Sequence, residues 1–167
     1  MAASLPPSDL ERSRVSSAEG AAPEEIRLQL PLDELRAVLN EFSPDSGMRI
    51  VAASDRRVVV AAGPAGLEPR LGGTISGPAI FKLVDYSAFL AVNAYAGRVL
   101  TAVLTNCAIS FLEAADPGPL LVEIEPVKIG RRMAVMSART TDADDQLIAV
   151  ATLQFALPGR QTNRIRR

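Results

Sequence analysis

One carboxylate stands in the most apolar stretch of this sequence. Between Pro78 and Ala96 the only charged side chains are those of Lys82 and Asp85, and the apolar residues recur at helical spacing. A helix that is apolar on nearly every side belongs in a core, so we predict a central helix inside a larger shell. A carboxylate at an inner position of such a helix can act as a general base or as a nucleophile.

A glycine-rich turn precedes this helix. Gly72, Gly73 and Gly77 permit dihedral angles and close approaches that a side chain would block. Pro78 fits the first turn of a helix, where its missing N–H is no loss. Backbone N–H groups at a helix N-terminus have no partner within the helix and lie at the positive end of its dipole, so they can polarise a carbonyl group. Gly77 and Asp85 are therefore our two candidates for chemistry.

Both residues also have purely structural explanations, which the sequence leaves open. Asp85 could form an ion pair with Lys82, three residues before it, or with Arg70 across the preceding loop. Such a pair typically adds only a fraction of a kcal/mol when it is exposed. Gly77 could simply belong to a tight turn.

Composition narrows the chemistry further. The chain has 167 residues, 48% of them hydrophobic, which suits one domain with a real core. It has no histidine, which excludes Ser-His-Asp and Cys-His nucleophile systems and most zinc sites. Its one cysteine, Cys107, excludes an internal disulfide, and we interpret it as a small buried apolar residue. We predict no metal and no other cofactor.

Charge and hydropathy indicate the cellular setting that we expect. The net charge is −1, so no global field favours nucleic acid. The N-terminal residues lack the apolar segment of a secretory signal. The longest uncharged run, residues 99–112, is shorter than the roughly 18 apolar residues that span a bilayer. We expect a cytoplasmic protein with neither nucleic acid nor membrane as a partner.

The pattern along the chain predicts one domain with a tail at each end. Residues 1–24 and the basic residues 159–167 lack periodicity, so we expect disordered tails around a domain of residues 25–158. The elements predicted before the central helix are a helix at 31–42, a hairpin of strands at 48–53 and 58–62, and a long loop at 63–77.

Four strands are predicted after the central helix, at residues 99–112, 120–129, 133–140 and 146–157. Short turns between them favour an antiparallel meander. We therefore predict an α+β protein, with a curved antiparallel sheet wrapped around one long helix. The open edge strands of such a sheet would pair with a second chain.

Three segments of the sequence resemble a known family: GGTISGPAIFKLVDYSAFLAVNA, TNCAISFLEAADPGPL and VKIGRRMAV. They are similar to the hotdog-fold acyl-CoA thioesterases of the phenylacetic-acid (PaaI) type. Ser76-Gly77-Pro78 stands where that family has a His-Gly-Gly turn, and Leu83-Val84-Asp85 stands where it has Leu-Ala-Asp. Residues 110–113 stand at its Phe-Leu-Arg segment. Two positions depart from the family: its His is Ser76 here, and the Asn often found six residues earlier is Arg70.

The resemblance implies a hotdog fold and the hydrolysis of acyl-CoA thioesters. It implies that Asp85 activates water or attacks directly, while Gly77, with Ala79 or Ile80, polarises the carbonyl. It also implies a homodimer or a dimer of dimers, in which the helix of one subunit faces the glycine turn of the other. The further residues that we assign to substrate binding are Arg70, Ser76, Tyr86, Asn93, Thr105, Asn106, Lys128, Arg131 and Arg132.

Most of these further residues have ordinary explanations beside the functional one. Lys128, Arg131 and Arg132 flank a strand bend where the family often contacts the nucleotide, and guanidinium groups suit phosphate, but charged bends are usually just solvated. The residues on the central helix and the strand after it could equally serve core packing or sheet hydrogen bonding.

Three other functions stay open at this point. A non-catalytic acyl-CoA binder or sensor on the same fold is favoured slightly by the departures at Ser76 and Arg70. A hotdog dehydratase or hydratase generally needs a His beside the carboxylate, and this chain has none. A purely structural scaffold is the third. The sequence does not specify the acyl chain or decide between dimer and tetramer.

Overall fold

A computed structural model describes residues 26–158, and the predicted tails at 1–24 and 159–167 lie outside this range. The elements follow the predicted order closely. The helices are α1 (Leu32–Phe42) and α2 (Gly77–Ala96), and the strands are β1 (Met48–Ala53), β2 (Val58–Ala62), β3 (Val103–Phe111), β4 (Leu120–Ile129), β5 (Met133–Thr141) and β6 (Leu147–Ala156). A short 3₁₀ helix, Pro64–Gly66, lies in the loop before α2.

The six strands form one antiparallel sheet in the order β1-β2-β4-β5-β6-β3. Helix α2 contacts five of them and also α1. Twelve of its 20 residues are buried, which confirms the predicted central helix surrounded by sheet. Neither α1 nor α2 has the combined length and apolarity needed to cross a membrane, within the part of the chain that is described.

The predicted four-strand meander is wrong at its first member. β4, β5 and β6 do pair in succession, but β3 pairs with β6, and β4 pairs with β2. The link between β3 and β4 crosses the end of the sheet instead of making a hairpin. Its Ala115 is buried, and the Ala115 carbonyl accepts a hydrogen bond of 2.8 Å from the Ile75 N–H. Turn residues in a sequence mark where a strand ends, but they do not specify its partner.

Strand β3 also begins later than predicted, at Val103 instead of Val99. The Val99 N–H donates to the Asn93 Oδ1 at 2.8 Å, and the Val99 carbonyl accepts from the Ala102 N–H at 2.9 Å. These two bonds hold the first residues of the apolar run in a turn. Apolar character alone cannot distinguish such a turn from a strand.

The glycine-rich loop is fixed above the N-terminus of α2 by its own backbone. Gly72 and Gly73 have φ values of 104° and 89°, a region that side chains disfavour. The Gly73 N–H donates to the Arg70 carbonyl and the Arg70 N–H donates to the Thr74 carbonyl, which closes a compact turn. The Ser76 N–H donates to the Glu68 carbonyl at 2.9 Å. These bonds determine how the chain enters α2.

Strand β3 is an edge of the sheet, and no strand among residues 26–158 pairs with its outer side. Its first and last residues, Val103 and Phe111, are 60% and 49% exposed. The following Leu112 is also 49% exposed. An edge strand with exposed apolar residues is an unusual surface for a soluble monomer, because it offers backbone groups and apolar area to another strand.

Candidate active site

The first turn of α2 has one unused backbone donor. Ser76 is the N-cap residue, and its Oγ accepts a hydrogen bond of 3.3 Å from the Ala79 N–H. The Ile80 N–H donates to the Ser76 carbonyl at 3.1 Å. Pro78 has no N–H. The Gly77 N–H therefore remains as the donor in this turn without a partner among residues 26–158.

Of the N–H groups that were predicted to polarise the substrate carbonyl, only that of Gly77 is free in this turn. Ala79 and Ile80 were predicted as possible partners of Gly77 in this role, but both of their N–H groups already have acceptors. Gly77 is helical and lines a cavity of about 380 Å³ between the loop before α2 and residues 111–115, which we call the Gly77 cavity. Because Gly77 has no side chain, a ligand atom can reach its N–H directly. Phe111 contributes the nearest ring to this glycine.

Asp85 has no hydrogen-bond or ion-pair partner among the described residues. The two cations that could have paired with it are engaged elsewhere. The Nζ of Lys82 lies 3.0 Å from the Oε1 of Glu68, and the Nε of Arg70 donates to the Thr74 Oγ1 at 2.7 Å. The structural explanation of Asp85 as half of an ion pair is therefore wrong.

The surroundings of Asp85 make its carboxylate more basic than usual. Burial raises the pKa of Asp85 because the charged form loses hydration and gains no partner in return. The neighbouring Cys107, on β3, has its pKa raised by burial and also by the negative charge of Asp85. The raised pKa disfavours the reactive thiolate, but Cys107 is only partly buried, so the prediction of a fully buried residue is wrong.

Asp85 opens into an apolar cavity of about 310 Å³, which we call the Asp85 cavity. Its walls come from α1, α2, the start of β3, and β6. The lining residues are Phe42, Asp85, Tyr86, Phe89, Ala102, Val103, Leu104 and Phe155. Asp85 is the one acidic group in this lining, and the cavity is therefore suited to an apolar group that ends near a carboxylate.

Within one chain, Gly77 and Asp85 lie apart. They are eight residues apart on α2, which corresponds to about 12 Å along the axis and a rotation of about 80° around it. They line different cavities. One carbonyl group cannot contact the Gly77 N–H and also receive a water held by the same chain's Asp85. The two candidate residues of one chain therefore belong to separate cavities.

Two of the other predicted residues line these cavities. Arg70 lies in the Gly77 cavity, where its guanidinium is exposed and oriented by Thr74. Tyr86 lies in the Asp85 cavity, with its ring 5.2 Å from that of Phe42. Ser76 acts on the Gly77 cavity through the helix cap, although its own side chain does not line the cavity.

Three predicted residues have structural partners or lie elsewhere. Asn93 is fully buried, and its amide donates to the Phe89 carbonyl and accepts from the Val99 N–H, so it fixes the end of α2. The Thr105 Oγ1 donates to the Gln154 carbonyl at an irregular point of the β3–β6 pairing. Asn106 is exposed on the same edge strand. None of the three lines the Gly77 or the Asp85 cavity.

The predicted phosphate-binding residues lie at the other end of the molecule. Lys128, Arg131 and Arg132 are exposed at the bend between β4 and β5. Arg131 borders a groove with Tyr95, near the C-terminal end of α2. Since α2 has 20 residues and is about 30 Å long, this bend is remote from Gly77 of the same chain.

Sequence reasoning missed the residues that complete the two cavities. Phe42 and Phe89 were assigned to apolar helix faces, and Phe111 and Leu112 to a strand. Glu113, in the Gly77 cavity, was noted only as part of the family segment. A position that faces a cavity and a position that faces the core have the same periodicity, so no local signal separates them. Across residues 26–158 no three His, Cys, Asp or Glu side chains converge on a metal-sized position.

Residues 72–149 match the family model described as the thioesterase superfamily. This stretch includes both Gly77 and Asp85. A candidate thioesterase from Silicibacter sp. TM1040 superposes with a TM-score of 0.72 and 28% identity, over 81% of this chain and 96% of that chain. The described part of the chain therefore has the hotdog fold, and residues 72–149 are similar to the thioesterase superfamily. The fold predicted from the sequence is therefore confirmed.

Two further relatives show the breadth of the similarity. The PaaI phenylacetic acid degradation protein of Thermus thermophilus, solved as a point mutant, superposes with a TM-score of 0.61 and 22% identity, over 71% of this chain and 99% of that chain. At this identity the hotdog domain shares the fold of PaaI. A candidate esterase from Saccharolobus solfataricus is 32% identical over 82 residues, which are 49% of this chain and 54% of that protein. The chain thus spans about half the length of this curated relative.

Proposed function

We propose that this protein hydrolyses acyl thioesters, with acyl-CoA as the substrate class, in the manner of the PaaI-type thioesterases that its sequence resembles. The observation that carries the proposal is Asp85: a carboxylate without a partner among the described residues, with a raised pKa, at one end of an apolar cavity. Such a group costs stability, and folds retain it where a reaction uses it. The thioesterase-superfamily match, which includes this residue, supports the same interpretation.

The proposed reaction needs two halves of a site, the Asp85 carboxylate and the Gly77 N–H. The Asp85 carboxylate takes a proton from water as the water oxygen bonds to the thioester carbon. The negative charge that develops on the carbonyl oxygen is stabilised by the Gly77 N–H and the positive end of the α2 dipole. The carbon–sulfur bond then breaks, and the leaving thiolate takes up the proton, so that free acid and thiol are released.

We further propose that the complete site forms between two copies of the chain, in a homodimer or a dimer of dimers. The separation of Gly77 from Asp85 within one chain supports this, because neither half can perform the reaction alone. The unpaired edge strand β3 supplies a surface for association, and its exposed Val103 and Phe111 border the Asp85 and the Gly77 cavity respectively. Pairing of two β3 strands would thus bring cavities of both kinds close to the interface.

In this arrangement the acyl group occupies the Asp85 cavity and the CoA arm leaves past the Gly77 cavity. The exposed Arg70 guanidinium is then available to a polar or anionic part of the substrate. Lys128, Arg131 and Arg132 can serve the nucleotide phosphates only if the partner copy brings them near, because they are remote from Gly77 in the same chain.

The test is the release of CoA thiol from short, long and aromatic acyl-CoAs by the wild-type protein and by Asp85→Asn. The proposal expects turnover by the wild type and a loss of about a hundredfold or more in the variant, as is usual when a general base is removed. Turnover that survives the substitution would retain the enzyme class and reject the role of Asp85.

One observation favours a second candidate, a non-catalytic acyl-CoA binder. The carbonyl-binding turn has a single free N–H, whereas the two that follow are occupied or absent. A binder would show a higher melting temperature with acyl-CoA esters and no thiol release from any of them.

A further inference from the structure

A pair of aromatic rings separates the Asp85 cavity from a second cavity. The second one, about 320 Å³ in volume, lies between the turn after α1 and the outer side of α2, and we call it the Ser43 cleft. Its lining residues are Phe42, Ser43, Pro44, Asp45, Ser46, Lys82 and Tyr86. Phe42 and Tyr86 line both the cleft and the Asp85 cavity, so these two side chains form the wall between them.

The wall is held by specific ring contacts. The Phe42 ring meets Tyr86 at a centroid distance of 5.2 Å and an angle of 70°, and it meets Phe89 at 5.1 Å and 68°. Both are edge-to-face arrangements, which aromatic rings prefer. Phe42 thus packs against two residues of α2: Tyr86, which follows Asp85 in the sequence, and Phe89, one turn beyond Asp85. Its position depends on the packing of α1 against α2.

Phe42 comes from a part of the chain outside the thioesterase-superfamily match, which begins at residue 72. The two cavities differ in character: the Asp85 cavity is mostly apolar, whereas the cleft has hydroxyl, carboxylate and ammonium groups in its lining. Within the Asp85 cavity, the Phe42 ring stands on the side that faces the Ser43 cleft.

We propose that Phe42 determines the longest acyl group that the Asp85 cavity accepts. This inference rests on the proposed function, because it takes that cavity to hold the acyl group. Replacement of Phe42 by a small residue would join the cavity of about 310 Å³ to the Ser43 cleft of about 320 Å³ and so lengthen the pocket. Longer chains would then pass between α1 and α2 and end in the cleft.

The experiment compares the wild type with Phe42→Ala and Phe89→Ala. Phe89 also lines the Asp85 cavity but does not line the cleft, so its removal widens the cavity while both wall residues, Phe42 and Tyr86, and their ring contact are retained. Two quantities are measured for straight chains from acetyl to palmitoyl: kcat/KM for CoA release, and the affinity of the corresponding free fatty acids by calorimetry. Circular dichroism confirms folding, and Phe42→Leu provides a smaller truncation if the alanine variant fails to fold.

The proposal expects Phe42→Ala to shift the preferred length upward, with the ratio of long-chain to short-chain kcat/KM rising about tenfold or more. The affinity for long fatty acids should rise in parallel, and Phe89→Ala should leave the preferred length unchanged. Identical length profiles in the wild type and both Phe42 variants would overturn it. Should no protein release CoA while Phe42→Ala gains affinity for longer fatty acids, the wall would be confirmed and the proposed hydrolysis rejected.

Discussion

The Lys82 ammonium lies 3.0 Å from the Glu68 carboxylate, and this pairing leaves Asp85 without a cation although Lys82 is only one turn away on the same helix. Glu68 belongs to the loop before α2, and its own carbonyl accepts the Ser76 N–H. The loop therefore does two things for the site: it directs the chain into the helix cap, and it keeps a positive charge away from Asp85. Burial raises the pKa of Asp85, and no ion pair with Lys82 offsets that rise.

Removal of the Glu68 charge should redirect Lys82. In Glu68→Gln the Lys82 ammonium loses its partner, and the closest carboxylate on its helix face is Asp85, three residues on. A nearby cation lowers a carboxylate pKa, so the acid limb of the pH dependence of kcat/KM should move to lower pH. Glu34→Gln, which removes an exposed carboxylate of α1, provides the control. An unmoved acid limb in Glu68→Gln would contradict this account of Asp85.

Asp85 should reduce the stability of the fold at neutral pH. Its pKa is raised in the folded state above the value of about 3.9 for an unfolded chain. Below that value both states are protonated and no cost arises. Between that value and the folded-state pKa the unfolded chain loses its proton first, so the cost grows with pH, and it is fully present above the folded-state pKa. Asp85→Asn should therefore melt a few degrees above the wild type at pH 7, and the difference should vanish in acid. A variant that melts lower at pH 7 would indicate that the carboxylate has a stabilising partner.

Ser76 should be tested as a helix cap and as a neighbour of the reacting oxygen. Ser76→Ala removes the acceptor of the Ala79 N–H and should cost about 1 kcal/mol of stability, measured by denaturant unfolding. Ser76→Asp restores a cap and should recover that stability. It also places a negative charge beside the Gly77 N–H, where the oxyanion forms, so its kcat should fall below that of the alanine variant. Equal activity in the two variants would show that the oxyanion does not form at this turn.

Gly77 should tolerate a methyl group in the fold but not in the reaction. A Cβ at this position would lie 3.6 Å from the Phe111 ring, an ordinary contact distance, and no positive φ is involved. Gly77→Ala should therefore unfold at a denaturant concentration equal to or above that of the wild type. The same methyl group narrows the approach to the free N–H, so kcat/KM should fall about tenfold or more. If Gly77→Ala folds and its kcat/KM is unchanged, the substrate carbonyl does not bind at the Gly77 N–H.

The sequence was most informative where a pattern extends over a whole element. The apolar helix around Asp85 and the alternating strands predicted the fold class and nearly every boundary, because burial imposes a period on each element. The partner of β3 could not be obtained in this way. Its pairing with β6 depends on a crossover tied down by the Ile75–Ala115 hydrogen bond, which brings together residues 40 positions apart.

In the candidate site, too, local features could be predicted from the sequence, whereas contacts between distant residues could not. Gly77 and Asp85 could be selected from their residue types and their position on the helix. Asn93 was assigned to the substrate for the same kind of reason, yet the end of α2 uses its amide for two backbone groups. Phe42 was missed because its contribution depends on how α1 packs on α2. Packing between distant elements leaves no local signature in the sequence.

The most direct test of the central claim is activity from two variants that are inactive separately. Asp85→Asn and Gly77→Val are co-expressed with different tags, and the heterodimer is purified through both. If each site takes Asp85 from one copy and Gly77 from the other, one of the two sites in the heterodimer contains both native residues. The account predicts thiol release at about half the specific activity of the wild type. A heterodimer no more active than its parents, beside an active wild type, would contradict a site shared between two chains.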